Sequence, residues 1–174
     1  MEQHDKILAV MHKFLVEAAD TNPYATAATM RTLDGLIRNQ LSAQLARAAH
    51  LWREAWMAYN RSIPPATREE PFPDRTMLQT ARQIKVLADR LSSLAGAVAA
   101  LPAPANDRVW NRVRNHALTL QTLIDMDYDL VSIASGWDSM PASGDSTSVA
   151  EITRRLDQLE TRLRERQLLL ERVP

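Results

Sequence analysis

The chain reads as an all-α protein, an antiparallel bundle of about four helices plus a C-terminal helix with a heptad pattern. Three observations predict this class. Glycine occurs only 4 times in 174 residues, and Phe and Tyr only two and three times, against abundant Ala, Leu and Arg. Apolar residues recur at spacings of three and four between proline-rich or small-polar breaks, the period of one helical face. No stretch of useful length alternates apolar and polar residues in the manner of a half-buried strand. A hydrophobic fraction of 45% is enough to offset ordering entropy, and the length suits one folded domain.

The first predicted helix covers roughly residues 3–19, with Ile7, Met11, Phe14, Leu15 and Ala18 on one face. Asn22-Pro23 then reads as an N-cap followed by proline at the first helical position. A second helix runs from there to about Arg61, striped by Met30, Leu33, Ile37, Leu41, Leu45, Ala48, Trp52, Trp56 and Tyr59. It would be about 60 Å long at ~1.5 Å per residue, with a bend near Gly35. Pro64, Pro65, Pro71 and Pro73 forbid helix between Ile63 and Asp74.

Asp74 is a candidate cap for the third helix, and Thr76 with Gln79 also stand at capping-box spacing. Its stripe is Ile84, Leu87, Leu91, Leu94, Val98 and Leu101. The segment Leu101 to Ala105 is a short proline connector. Asn106 caps a fourth helix with Val109, Val113, Ala117, Leu120, Ile124, Val131 and Ala134 inward. Trp110 and Trp137, at its two ends, are expected to be partly exposed. Ser139 to Ser146 has a loop's composition, and Ser148 with Glu151 forms a capping box for the last helix. The expected organisation is a bundle over 1–138, a loop over 139–146 and a coiled-coil-like helix over 147–174.

That last helix carries the most specific pattern in the chain. Val149, Ile152, Leu156, Leu159, Leu163, Arg166, Leu170 and Val173 alternate steps of three and four, a heptad seam. It can pack on the protein's own bundle or on another chain. Ile152, Leu156, Leu159, Leu163, Arg166 and Leu170 are therefore interface candidates, together with Trp52 and Trp56. Arg166 alone breaks the seam. A buried unpaired guanidinium costs several kcal/mol, so its head should reach water or a carboxylate such as Glu160 or Glu165 of a neighbouring chain.

Several chemistries lack their residues. With no Cys, disulfides, zinc–thiolate sites and thiol nucleophiles are excluded. The four histidines, His4, His12, His50 and His116, show no metal-ligand spacing, and no Glu-x-x-His occurs. The phosphate-loop, dinucleotide, serine-hydrolase and zincin motifs are all missing. Carboxylates cluster once, at Asp125, Asp127 and Asp129. Asp125 and Asp129 are candidate ligands for a divalent cation in an all-α nucleotide hydrolase, but arginines of the second or third helix, or of a partner chain, are the favoured counter-charge. No catalytic residue and no cofactor are expected.

Net charge is zero, yet residues 22–62 and 75–101 each carry +3. Arg31, Arg38 and Arg53 align beside the apolar stripe of the second helix, and Arg75 and Arg82 align on the third. Such a stripe can follow a phosphate backbone or pair with the Asp cluster. The longest uncharged apolar stretch, Leu91 to Pro104, contains two serines, a glycine and two prolines and falls short of the ~20 residues of a membrane span. No targeting signal is visible, and a cytoplasmic protein with no membrane contact is expected. The expected function is a non-enzymatic helical interaction subunit of a homo-oligomer or larger complex. The alternative is a small helical subunit of a nucleoprotein complex, holding nucleic-acid backbone through Arg31, Arg38, Arg53, Arg75 and Arg82. In size and class, though in no motif, it is similar to the small subunits of CRISPR effector complexes.

Overall fold

The computed structural model describes residues 25–68, 72, 74–104, 106–137 and 146–172. Among them lie five helices and no strand: α1 Ala27–Ser62, α2 Arg75–Ala100, α3 Asp107–Asn115, α4 Ala117–Ala134 and α5 Ser146–Arg172. The expected helix over 3–19, the Asn22-Pro23 start and Val173 lie outside the described residues.

The long helix begins at Ala27, later than Pro23. Its cap is a reciprocal box in which the Thr26 hydroxyl accepts from the Thr29 N–H and the Thr29 hydroxyl accepts from the Thr26 N–H, both at 3.1 Å. Two N–H groups that a helix start leaves unpaired are thereby satisfied. α1 continues without interruption through Gly35 and ends at Ile63, whose extended backbone (φ −71°, ψ 121°) is what the following Pro64 demands. α2 is capped by Asp74, which accepts from Thr76 N–H at 2.6 Å and from Met77 N–H at 3.4 Å. It stops at Leu101, again before a proline. Residue numbers fall along α2 as they rise along α1. The Ser42 hydroxyl donates to Ala95 O at 2.9 Å, Arg38 reaches Leu101 O, and the Lys85 ammonium stands over the Trp56 ring. The two helices are an antiparallel pair.

The single helix expected over 106–138 is two. Asn106 caps α3 as expected, accepting from Arg108 N–H at 2.9 Å. The chain then breaks at His116, whose backbone is extended (φ −109°, ψ 99°). The reason lies in the spacing of the buried residues. Trp110 and Val113 are buried on α3, and Leu123, Asp127 and Leu130 on α4. Val113 and Leu123 are ten residues apart, and a straight helix with 3.6 residues per turn needs about eleven to return to the same face. The break supplies the difference and turns Ala117 and Leu118 to solvent, where Leu118 is 86% exposed. Val109, Leu120 and Ile124 are only half-buried.

Trp110 and Trp137 are not partly exposed. Each is 1% accessible. The Trp110 indole N–H donates to Pro104 O at 3.0 Å, which pins the connector. Trp137 returns to the core because Gly136 adopts φ 77°, a left-handed conformation that glycine reaches without a Cβ clash.

α5 opens at Ser146, so Ser148 lies inside its first turn. Ile152, Leu156 and Leu159 are completely buried, Leu170 nearly so, and Val149 and Leu163 half-buried. Their partners are the chain's own helices. Arg162 pairs with Asp129 and Arg166 with Asp127, so α5 runs antiparallel to α4. Arg90 of α2 binds Glu160 and Asp157 of α5 at 2.7–3.0 Å. These carboxylates, Glu160 first, raise the Arg90 pKa above its ordinary value. One core runs from Met30 to Leu170, so the C-terminal helix belongs to the bundle and is not an appendage. No helix among the described residues is long and apolar enough to cross a membrane.

Candidate functional site

Two residues that look out of place in their stripes meet in the core. Asp34 follows Met30 and Leu33 on the buried face of α1, and Arg166 interrupts the seam of α5. Asp34 is 2% exposed and Arg166 6%. Arg166 Nη1 lies 2.8 Å from Asp34 Oδ1, and its Nε donates to Asp127 Oδ1 at 2.6 Å. The other Asp34 oxygen accepts from Arg38, with Nε at 2.9 Å and Nη2 at 2.8 Å. Arg38 also donates to Leu101 O. Two carboxylates and two guanidiniums therefore join α1, α4, α5 and the 101–104 connector.

Burial makes this arrangement hold only as a set. Desolvation works against the charged Arg166, but the charge and hydrogen bond of Asp127, and then of Asp34, outweigh it and raise its pKa. Burial pushes the Asp127 carboxyl upward, while Arg166 pulls it back. The expectation that Arg166 reaches a neighbouring chain's Glu160 or Glu165 is corrected. Glu160 binds Arg90 and Glu165 binds Arg162, both within this chain.

The other predicted residues are dispersed. Ile152, Leu156, Leu159, Leu170 and Trp52 are buried within the monomer, which covers the surface they were expected to offer a partner. Leu163 and Trp56 are half-buried. Asp125 is exposed and accepts from Gln121 at 2.9 Å, and Asp129 pairs with Arg162 at 2.9 Å. With Asp127 turned inward, the three acids face different neighbours. Their counter-charges come from α5, not from the second or third predicted helix. Among the described residues no group of three His, Asp or Glu is placed to hold a metal ion. Arg31 pairs with Asp107 at 2.7 Å, and Arg38 belongs to the buried network, so neither is free for phosphate. Arg53, Arg75 and Arg82 are exposed and have no ion-pair partner among the described residues.

Asp34 and the inward role of Asp127 escaped the sequence reading. The signal was present. An acid on the core face of one helix and an arginine on the core face of another are each untenable alone, and together they satisfy one another.

Next to the network lies a cleft of about 190 Å³. Ile37 and Leu41 of α1, the 101–104 connector, Leu130 of α4 and Leu163 and Leu170 of α5 form its walls. Arg38 and Arg166 supply its buried polar groups, and Gln167 and Glu171 stand at the solvent side.

No known family matches the sequence, and no curated protein or solved structure does either.

Proposed function

We propose that the chain is a non-enzymatic helical interaction subunit that engages its partner through the flank of the α1–α2 hairpin. One observation carries this reading. Large apolar side chains stand in solvent there, beside cations that have no internal counter-charge. Met57 and Val86 are exposed, Trp56 and Tyr59 are half-buried, and Phe72 in the connecting segment is 84% exposed. Arg53 lies one turn before Met57, and Arg82 one turn before Val86. Apolar and aromatic side chains mixed with arginine are the composition of protein interfaces. Sedimentation velocity over a hundredfold concentration range tests self-association through this flank. A wild-type chain that associates and a Met57→Glu, Val86→Glu chain that stays monomeric supports it. Association unchanged in the double variant removes this flank from the proposal.

A second reading, binding of nucleic-acid backbone, is supported by Arg53, Arg75 and Arg82 alone of the five arginines first considered. Anisotropy of a labelled oligonucleotide over a salt series tests it. Replacing these three by Ala should shorten the log–log slope by roughly 0.7–0.9 per lost phosphate contact. A slope that persists in the triple variant eliminates these residues as the site.

A further inference from the structure

We propose that the cleft beside the ion network binds an aliphatic monocarboxylate of medium chain length, with its carboxylate on Arg166 and its tail along Leu41, Leu130 and Leu163. The site is built before any ligand arrives. Its connector wall is pinned at both ends, by Arg38 donating to Leu101 O and by the Trp110 indole donating to Pro104 O at 3.0 Å. Pro102 and Pro104 restrict the backbone between these anchors further. The volume of about 190 Å³ resembles that of apolar cavities of roughly 150 Å³ that admit benzene-sized molecules. It therefore suits a short hydrocarbon and is too small for a nucleotide or a peptide helix.

The head group follows from the donor inventory. Arg166 uses Nε for Asp127 and Nη1 for Asp34, and its Nη2 has no acceptor among the described residues. This guanidinium is more than nine-tenths buried and lines the cleft. A guanidinium donates and never accepts, so the matching head must be an acceptor. Of the acceptors, a carboxylate gains the most, through a charge-assisted hydrogen bond. An alkylammonium finds no place there, because Asp34 and Asp127 already face guanidiniums. At the rim, Glu171 accepts from Gln167 at 2.9 Å and is exposed. Its charge is therefore solvated and opposes only a head left outside the cleft.

Isothermal titration of the full chain with octanoate, octanol and octylammonium tests the assignment. Saturable binding of octanoate is expected, at least about tenfold tighter than either analogue, since a hydrogen bond to a charged group is worth ~1.5–3 kcal/mol. Ala103→Phe fills the cleft from the connector without touching the network and should weaken octanoate by a similar factor. If that variant does not fold, NOEs from the octanoate tail to the Leu130 and Leu163 methyls of the wild-type chain replace it. No saturable octanoate binding, equal binding of octanol or octylammonium, unchanged binding in the folded variant, or an absence of those NOEs each overturns the proposal.

Discussion

Arg166 holds two buried carboxylates from two different helices, and its removal leaves at least one of them without a counter-charge. Asp34 keeps Arg38, but Asp127 has only Arg166. Arg166→Leu should therefore destabilise by about 3–5 kcal/mol, the usual cost of breaking a buried pair. Asp127→Leu combined with Arg166→Leu should recover most of that loss, because the uncompensated charge is gone. Urea denaturation of both variants measures the difference. If the double variant is no more stable than the single one, Asp127 is not the residue left stranded. The single variant should also acquire a pH dependence. Burial already pushes the Asp127 carboxyl up, and Arg166 is what pulls it back. Without Arg166 the folded state keeps a proton that the unfolded chain has released. The sign follows: the variant gains stability as pH falls through the raised folded value and levels off below the ordinary carboxylate value. A variant whose stability is flat between pH 7 and pH 4 contradicts this.

Helix ends in this protein follow two kinds of signal, and a third boundary has none. The ends of α1 and α2 are set by Pro64 and Pro102, and their starts by the Thr26–Thr29 box and Asp74. The His116 break has no proline or glycine beside it, so no local residue announces it. It exists because α3 buries Trp110 and α4 buries Leu130 at angles that a straight helix cannot both satisfy. Inside the helices, Gly35 and Gly96 have no neighbour within 4 Å of where a Cβ would stand. Neither glycine is required by packing. Gly35→Ala and Gly96→Ala should each stabilise by about 0.5–1 kcal/mol through helix propensity. Each should raise the melting midpoint by ~1–4 °C in a domain of this size. A fall in the midpoint for Gly35→Ala would show that the helix needs its glycine for a bend, as the sequence suggested.

At the level of the molecule, α5 decides whether there is a bundle at all. It contributes Ile152, Leu156, Leu159 and Leu170 to the core, at ~1.5–3 kcal/mol for each buried side chain. Their sum is comparable with the ~5–15 kcal/mol that keeps a domain folded. Deleting residues 147–174 also strands Asp127. The truncated chain should therefore lack a cooperative thermal transition and near-ultraviolet circular dichroism from its buried tryptophans. A truncated chain that melts cooperatively with Trp110 and Trp137 still ordered would restore α5 to the status of a detachable coiled-coil segment. The distribution of charge belongs to this scale too. Arg31, Arg38, Arg90, Arg162 and Arg166 are neutralised inside the chain, and this leaves Arg53, Arg75 and Arg82 on the hairpin flank as exposed cations.

The sequence by itself determined the helical class, the α2 and α5 stripes, the caps at Asp74 and Asn106 and the proline boundaries. Each of these depends on residues within a few positions of one another, so local propensity and periodicity decide them. Tertiary structure alone decided the break at His116, the burial of Trp110 and Trp137, and the intramolecular use of the α5 seam. It also decided that Arg166 answers Asp34 across 132 positions of chain. A heptad seam states that a helix has an apolar face and does not state which chain covers it. A buried charge states that a partner of opposite sign exists, and only the packing of α1, α4 and α5 around one point identifies it.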